Sequence, residues 1–296
     1  MALRPPPRST DAPPPLGPAL ARYGESPVPS HRATDVLPVL RSRRVVGMRV
    51  DASNYHDVVR RLMCWAREPL GRYVCVANVH MTMEANDNPG FKQLVEGANL
   101  VLSDGMPLVW ALRWLGIPDA SRVYGPDLML ALCEAAARDG VPIGLQGGRP
   151  EELLPLRRNL EARFPGLEIA YAGSPPFRPP SDEEDAATVD AIVASGARLL
   201  FVGLGCPKQE TWMAAHRDRL PLVQVGVGAA FDFHAGRVRQ APAWIRSAGL
   251  EWLFRMVMEP RRLARRYLRH NPRFVVRLAR QLWSRRRELT AGFADD

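Results

Sequence analysis

The chain has 296 residues, 46% of them hydrophobic and 24% charged, enough to bury a full core in one large domain with appendages or in two smaller ones. Its net charge of +9 is concentrated, because residues 242–287 hold thirteen arginines against Glu251 and Glu259 while the rest of the chain sums to a slight negative charge. No apolar run reaches the ~18 residues of a membrane span, no apolar core follows Arg4 and Arg8 as in a signal peptide, and the four cysteines make no Cys-x-x-Cys pair, so reduced thiols in a cytoplasmic protein are expected.

Residues 1–40, with Pro5-Pro6-Pro7 and Pro13-Pro14-Pro15, read as a disordered arm. From there to residue 241 the pattern alternates. Apolar runs at 45–50, 73–77, 100–102, 142–146, 168–171, 199–202 and 222–225 read as strands. Helical segments are expected near 54–68, 80–97, 106–115, 126–139, 150–163, 181–195 and 207–218. The alternation predicts an α/β fold with a mainly parallel, Rossmann-like sheet and helices on both faces, in which ligands bind beyond the carboxyl ends of the strands. After residue 242 the strands stop. Segments 243–258, 260–269 and 272–287 read as a basic helical appendage broken by Pro260 and Pro272, with a disordered tail at 288–296. In the last helix Phe274, Val275, Leu278, Leu282 and Trp283 share one face among arginines, a pattern that suits either an anionic membrane surface or packing on the domain.

The strand ends carry the candidate chemistry. Asn78 follows one strand and Asp104-Gly105 another; an aspartate there is a general base or the N-cap of the next helix. Gly203-Leu204-Gly205-Cys206-Pro207-Lys208-Gln209-Glu210 reads as strand, glycine turn and helix start. Its free amides suit a phosphate, and Lys208 is one of only two lysines beside thirty-eight arginines; the alternative is a plain tight connection. Asp232 follows a further strand, in a stretch without the third glycine of a dinucleotide fingerprint. No His-Glu-x-x-His and no Asp-x-Asp occurs, so no metal or other cofactor is expected, and a diphosphate would be met by arginines, lysine and helix amides.

With these residues assembled, the chain resembles the WecG/TagA/CpsF glycosyltransferases over roughly residues 45–275. The resemblance is carried by Asn78, Asp104-Gly-Met-Pro107, Arg122-Val-Tyr-Gly125-Pro-Asp127, Gly203 to Glu210, Gly226-Val-Gly228-Ala-Ala-Phe-Asp232, Gln240-Ala-Pro242-Ala-Trp244, Gly249-Leu-Glu251-Trp252-Leu-Phe-Arg255 and Glu259-Pro-Arg-Arg262. It implies inverting, metal-independent transfer from a UDP-sugar to a polyprenyl-diphosphate-linked saccharide in surface polysaccharide synthesis, at the inner face of the cell membrane. It makes Asp104 the base, and it sets Asn78, Arg122 and Gln209 near the donor and reacting carbon. It also brings Arg255, Arg262 and Arg265 to the diphosphate, with Lys208, Gly205 and Asp232 as further binding candidates. Many members have Thr where this chain has Val76, so a hydroxyl contact is lost. The tail helices also offer a surface for a homo-oligomer. Two other readings stand beside this one: a nucleic-acid-binding protein using the arginine-rich tail, against which the polar groups at the strand ends speak, and a UDP-sugar-binding relative without catalysis.

Overall fold

The computed structural model describes residues 37–291 apart from 38 and 177; the side chains of Ala243, Ser247, Arg262, Arg286 and 288–291 are outside the description. Most of the expected N-terminal arm and the last five residues of the expected tail therefore lie outside the described residues.

Eight strands form one sheet in the order β1-β2-β4-β3-β8-β7-β5-β6. They are β1 (Ser42–Val45), β2 (Met48–Asp51), β3 (Arg72–Ala77), β4 (Leu100–Ser103), β5 (Ile143–Gly147), β6 (Ile169–Gly173), β7 (Leu199–Gly203) and β8 (Val223–Gly226). All neighbours are parallel except β1 and β2. The single strand expected at 45–50 is β2 from residue 48 onward, and its first part crosses the turn of this hairpin: Val46 and Gly47 have φ of 50° and 82°, the left-handed pair of a two-residue connection. A β-branched residue is strained there. The Val46 N–H is held by Gln281 Oε1 at 2.9 Å, so a distant helix fixes a turn that no Asn-Gly signal announces.

The helices of the α/β part are α1 (Tyr55–Trp65), α2 (Val79–Asp87), α3 (Pro89–Glu96), α4 (Met106–Trp114), α5 (Gly125–Asp139), α6 (Pro150–Arg163), α7 (Asp182–Ala194), α8 (Lys208–His216) and α9 (Ala230–His234). The helix expected over 80–97 is two, because Pro89 starts α3 and Asn88 caps it, accepting from the Phe91 N–H at 3.1 Å. Side chains along the strands alternate between two cores. Val74, Val76, Leu199 and Phe201 join one with α1, α5 and α6, whereas Tyr73, Cys75, Leu200 and Val202 join the other with α2, α3 and α4. Burial on both faces is what the near-continuous apolar runs encode.

Beyond the sheet come α10 (Ala243–Ser247), α11 (Glu251–Met258) and α12 (Pro260–Ala291). Pro260 starts α12 as expected, but Pro272 does not break it. The carbonyl that loses its bond belongs to Leu268, on the solvent side, and the opposite face is held by Leu263, His270, Phe274 and Leu278, all buried. Of the apolar face expected on the last helix, Phe274 and Leu278 pack on the domain and Leu282 lies partly buried beside them, while Val275 and Trp283 stay exposed. Among the described residues no helix is long and apolar enough to cross a membrane.

Candidate active site

β3 and β4 are neighbours with Ala77 opposite Ser103, so Asn78 and Asp104 emerge side by side at one end of the sheet. Asp104 is tied down by its own N–H, which donates to the Ala77 carbonyl at 2.8 Å. The segment after Ser121 continues along the end of β4: Val123 N–H donates to Ser103 O (2.9 Å), and Ser103 Oγ donates to Ser121 O (3.0 Å). That register sets Arg122 against Asp104, whose backbone oxygen accepts from Arg122 Nε.

The cap alternative for Asp104 fails. The N-cap of α4 is Gly105, with no side-chain cap bond, and the Asp104 carboxylate instead accepts from the Gly125 N–H at 2.9 Å. Burial pushes its pKa up to about 6, Glu251 adds to the rise, and Arg122, the Gly125 N–H and Arg255 oppose it. A carboxyl that is ionised at neutral pH yet basic enough to take a proton has the tuning a general base requires. Asn78 does serve as a cap: its Oδ1 accepts from Met81 N–H at the start of α2 (3.2 Å), leaving Nδ2 without a partner among the described residues.

Arg122 joins the α/β part to the appendage. Its Nη2 donates to Glu251 Oε2 at 2.7 Å, and its guanidinium lies 4.3 Å from the centre of the Tyr124 ring. Burial works against this charge, but Asp104 and Glu251 raise its pKa above the ordinary value. A second tie runs beside it, since Arg246 Nη1 donates to both carboxylate oxygens of Asp127 at 3.1 and 3.0 Å. These two largely buried pairs seat α10 and α11 over the strand ends.

The result is a cavity of about 580 Å³ between the strand ends and the appendage. Asn78, Asp104 and Arg122 line it from the core, Trp110 and Trp114 from α4, Trp252 and Arg255 from α11, and Arg266, Tyr267 and Phe274 from α12. Its size and mixed wall suit a small ligand with apolar and charged parts. Arg255 and Arg266 have no carboxylate partner among the described residues: Arg255 sits over the Phe233 ring at 5.3 Å, and Arg266 donates only to the Tyr267 hydroxyl at 3.3 Å. His80 also borders the cavity, and burial together with Arg266 and His270 holds its pKa down at about 3.

The other expected residues stand apart from this cavity wall. Gly205, with φ of 77°, makes the turn before α8, and Lys208 opens that helix with its side chain exposed. Gln209 is buried and committed: Oε1 accepts from the Gly228 N–H at 3.0 Å and Nε2 donates to Glu210 Oε1 at 2.7 Å. Asp232 lies in α9, its backbone oxygen accepting from the N–H groups of Arg237 and Val238. Arg265 is exposed and outside the wall, and the Arg262 side chain lies outside the described residues. Arg266, one position further on, is the residue sequence reasoning missed. It is eight residues before the buried Phe274 and so shares its face; treating Pro272 as a break discards that phase. Trp110 and Trp114, one helical turn apart and part-exposed, were likewise unread.

Fold and site together define an α/β protein whose ligand cavity opens at the carboxyl ends of parallel strands and is closed by an arginine-bearing helical appendage. The chain belongs to the Glycosyl transferase WecG/TagA/CpsF family, whose pattern matches residues 43–288. The match spans both the sheet and the appendage, so it reaches further than the 45–275 over which the resemblance was first read.

Proposed function

We propose that the protein transfers a sugar, with inversion, from a UDP-sugar to a polyprenyl-diphosphate-linked saccharide in bacterial surface polysaccharide synthesis. Family membership supports sugar transfer, the family resemblance suggests the donor and acceptor classes, and the cavity supports a proton-transfer step beside cationic side chains. Asp104 takes the proton of an acceptor hydroxyl, that oxygen attacks the anomeric carbon from the face opposite UDP, and the bond to the UDP oxygen breaks as the pair leaves with UDP. The observation that carries the proposal is the pairing of a buried carboxyl of raised pKa with two uncommitted cations across one cavity. Arg255 and Arg266 meet the departing diphosphate, with Lys208 and the first amides of α8, at the end of β7 beyond β8, as a further phosphate contact. Arg122, engaged by Asp104 and Glu251, acts as the positioning residue rather than the phosphate clamp. Asn78 Nδ2 is free to hold the sugar or the incoming hydroxyl. Gln209 shapes the loop after β8 on the donor side.

The acceptor's lipid implies work at a membrane surface. Trp244, Trp252, Val257 and Met258 are exposed on the appendage among its arginines, a combination suited to anionic lipid. The ion pairs Arg122–Glu251 and Arg246–Asp127 tie this appendage to the strand ends, so a membrane-bound appendage would carry the cavity wall with it.

The test is UDP release from a panel of UDP-sugars with a short polyprenyl-diphosphate saccharide acceptor, in EDTA, comparing wild type with Asp104→Asn. Acceptor-dependent release from one donor, lost in the variant, is the expected outcome. Equal release by the folded variant refutes the base, and no release from any donor although UDP protects the fold from melting favours a binding protein without chemistry.

A further inference from the structure

His80 and Glu84 stand one turn apart on α2, and His270 meets them from α12 across the seam between core and appendage. His80 Nε2 lies 3.5 Å and His270 Nε2 3.6 Å from the same atom, Glu84 Oε1, and the two imidazoles meet edge to face with centroids 5.1 Å apart. Neither approach is a hydrogen bond, and both are too short for a bridging water, which separates the groups it joins by about 5.5 Å. A tetrahedral cation with bonds of about 2.0–2.1 Å to imidazole nitrogen and carboxylate oxygen sets its ligand atoms about 3.3 Å apart. The two observed separations lie within a few tenths of an ångström of that edge, and ligand atoms of all three residues fall within 4.8 Å of one another.

The His270 ring is otherwise held by no hydrogen bond among the described residues. His270 is 4% exposed, and its Nδ1 has no hydrogen-bond partner among the described residues. A buried imidazole that makes no bond costs stability unless the ring has another task.

We propose that His80, Glu84 and His270 form a divalent metal site, with zinc the best-matched ion, that fastens α12 to α2. Two imidazoles and one carboxylate are the ligand set that zinc takes while keeping a fourth position open. Of the three residues, His80 borders the cavity. The positive charge of Arg266 acts on His80 and those of Arg269 and Arg273 on His270, Arg273 being neutralised by Asp87 at 2.6 and 2.8 Å. These charges weaken a dication, so the affinity falls below that of a closed four-ligand zinc site. The metal is a clasp and takes no part in the proposed transfer: the pairs Arg122–Glu251, Arg246–Asp127 and Arg273–Asp87 hold the appendage without it.

The test uses the full chain, stripped with EDTA, dialysed and titrated with zinc chloride while its melting temperature is followed, and with cobalt chloride while visible absorption is followed. One equivalent of zinc raises the melting temperature, and cobalt gives the strong d–d bands of a four-coordinate site. Glu84→Gln, isosteric and partly exposed, keeps the fold and binds zinc at least about tenfold more weakly. His270→Gln removes the cobalt bands. Cys206→Ser is the control, since its thiol senses the Glu84 charge, and it leaves zinc affinity unchanged. No saturable single equivalent in the wild type, equal zinc affinity in Glu84→Gln, or loss of binding in Cys206→Ser would each overturn the proposal.

Discussion

Two strand ends of this sheet look alike in sequence and differ in the folded chain. At the end of β4, Asp104-Gly105 leads into α4; at the end of β7, Gly203-Leu-Gly205 leads through Pro207 and Lys208 into α8. Each offers a glycine, a polar group and a helix N-terminus. Yet the β4 end lies under the appendage, where burial raises the Asp104 pKa and two arginines face it, whereas Lys208 at the β7 end is exposed to solvent and Gln209 is spent on internal hydrogen bonds. The lesson is that a helix N-terminus supplies donors, but a low-dielectric setting supplies reactivity. The appendage provides that setting for one end only.

The largest effect expected from this contrast is at Asp104. Asp104→Asn should lower kcat about a hundredfold to ten-thousandfold, the range for losing a general base. Wild-type kcat should rise with pH through about 6, because the base works only when ionised. Stability should move the other way. The folded pKa is raised above the ordinary 3.8, so ionising Asp104 opposes folding, a cost absent below pH 3.8 and complete once pH has passed the folded value near 6. The asparagine variant removes that cost and should be more stable than wild type at pH 8 by about 3 kcal/mol, with the gain vanishing toward pH 4. Thermal melts at the two pH values check it; a variant destabilised at pH 8 would show that the carboxylate is held for the fold.

A somewhat smaller effect separates two adjacent arginines on α12. Arg266→Ala should lower kcat about a hundredfold, as removal of one donor to a developing charge does, whereas Arg265→Ala should stay near wild type because its side chain points away from the cavity. UDP-release rates for both variants at saturating donor decide it. The reverse ranking would mean that α12 presents a different face to the substrate.

The sheet was legible because its inner strands are buried on both faces, so β3, β4, β5, β7 and β8 appear as short apolar runs. The hairpin was not, since the turn Val46-Gly47 depends on Gln281 from the far end of the chain. Nor was the continuity of α12, because the cost of Pro272 is local while the packing of Phe274 and Leu278 that offsets it is tertiary. Asp104 could be singled out from its place at a strand end and from the family resemblance, but that its carboxylate bonds the Gly125 N–H and does not cap α4 could not be read from the sequence. Gln209 was readable as part of a motif and unreadable as a side chain already committed to Gly228.

Gln209 gives the next test in size. Gln209→Leu keeps the volume and strands the Gly228 N–H and one Glu210 oxygen, so stability should fall by about 1–3 kcal/mol in denaturant melts. Glu210 sharpens the point: fully buried, its carboxyl is pushed up to about 7 by burial and eased by the Gln209 amide, so the loss should be greater above pH 7 than below it.

The smallest effect belongs to Lys208, the residue that most marks the β7 end in sequence. Exposed and without an ion-pair partner among the described residues, it can reach a donor phosphate only through water-screened attraction, which is worth about 1 kcal/mol or less. Lys208→Ala should therefore raise the KM for the UDP-sugar by no more than about fivefold, leave kcat unchanged, and lose even that difference at high salt. A hundredfold loss of kcat would erase the contrast between the two strand ends. It would mean that α8 closes over the donor in the working complex and that its amides, not the arginines of α11 and α12, stabilise the leaving diphosphate.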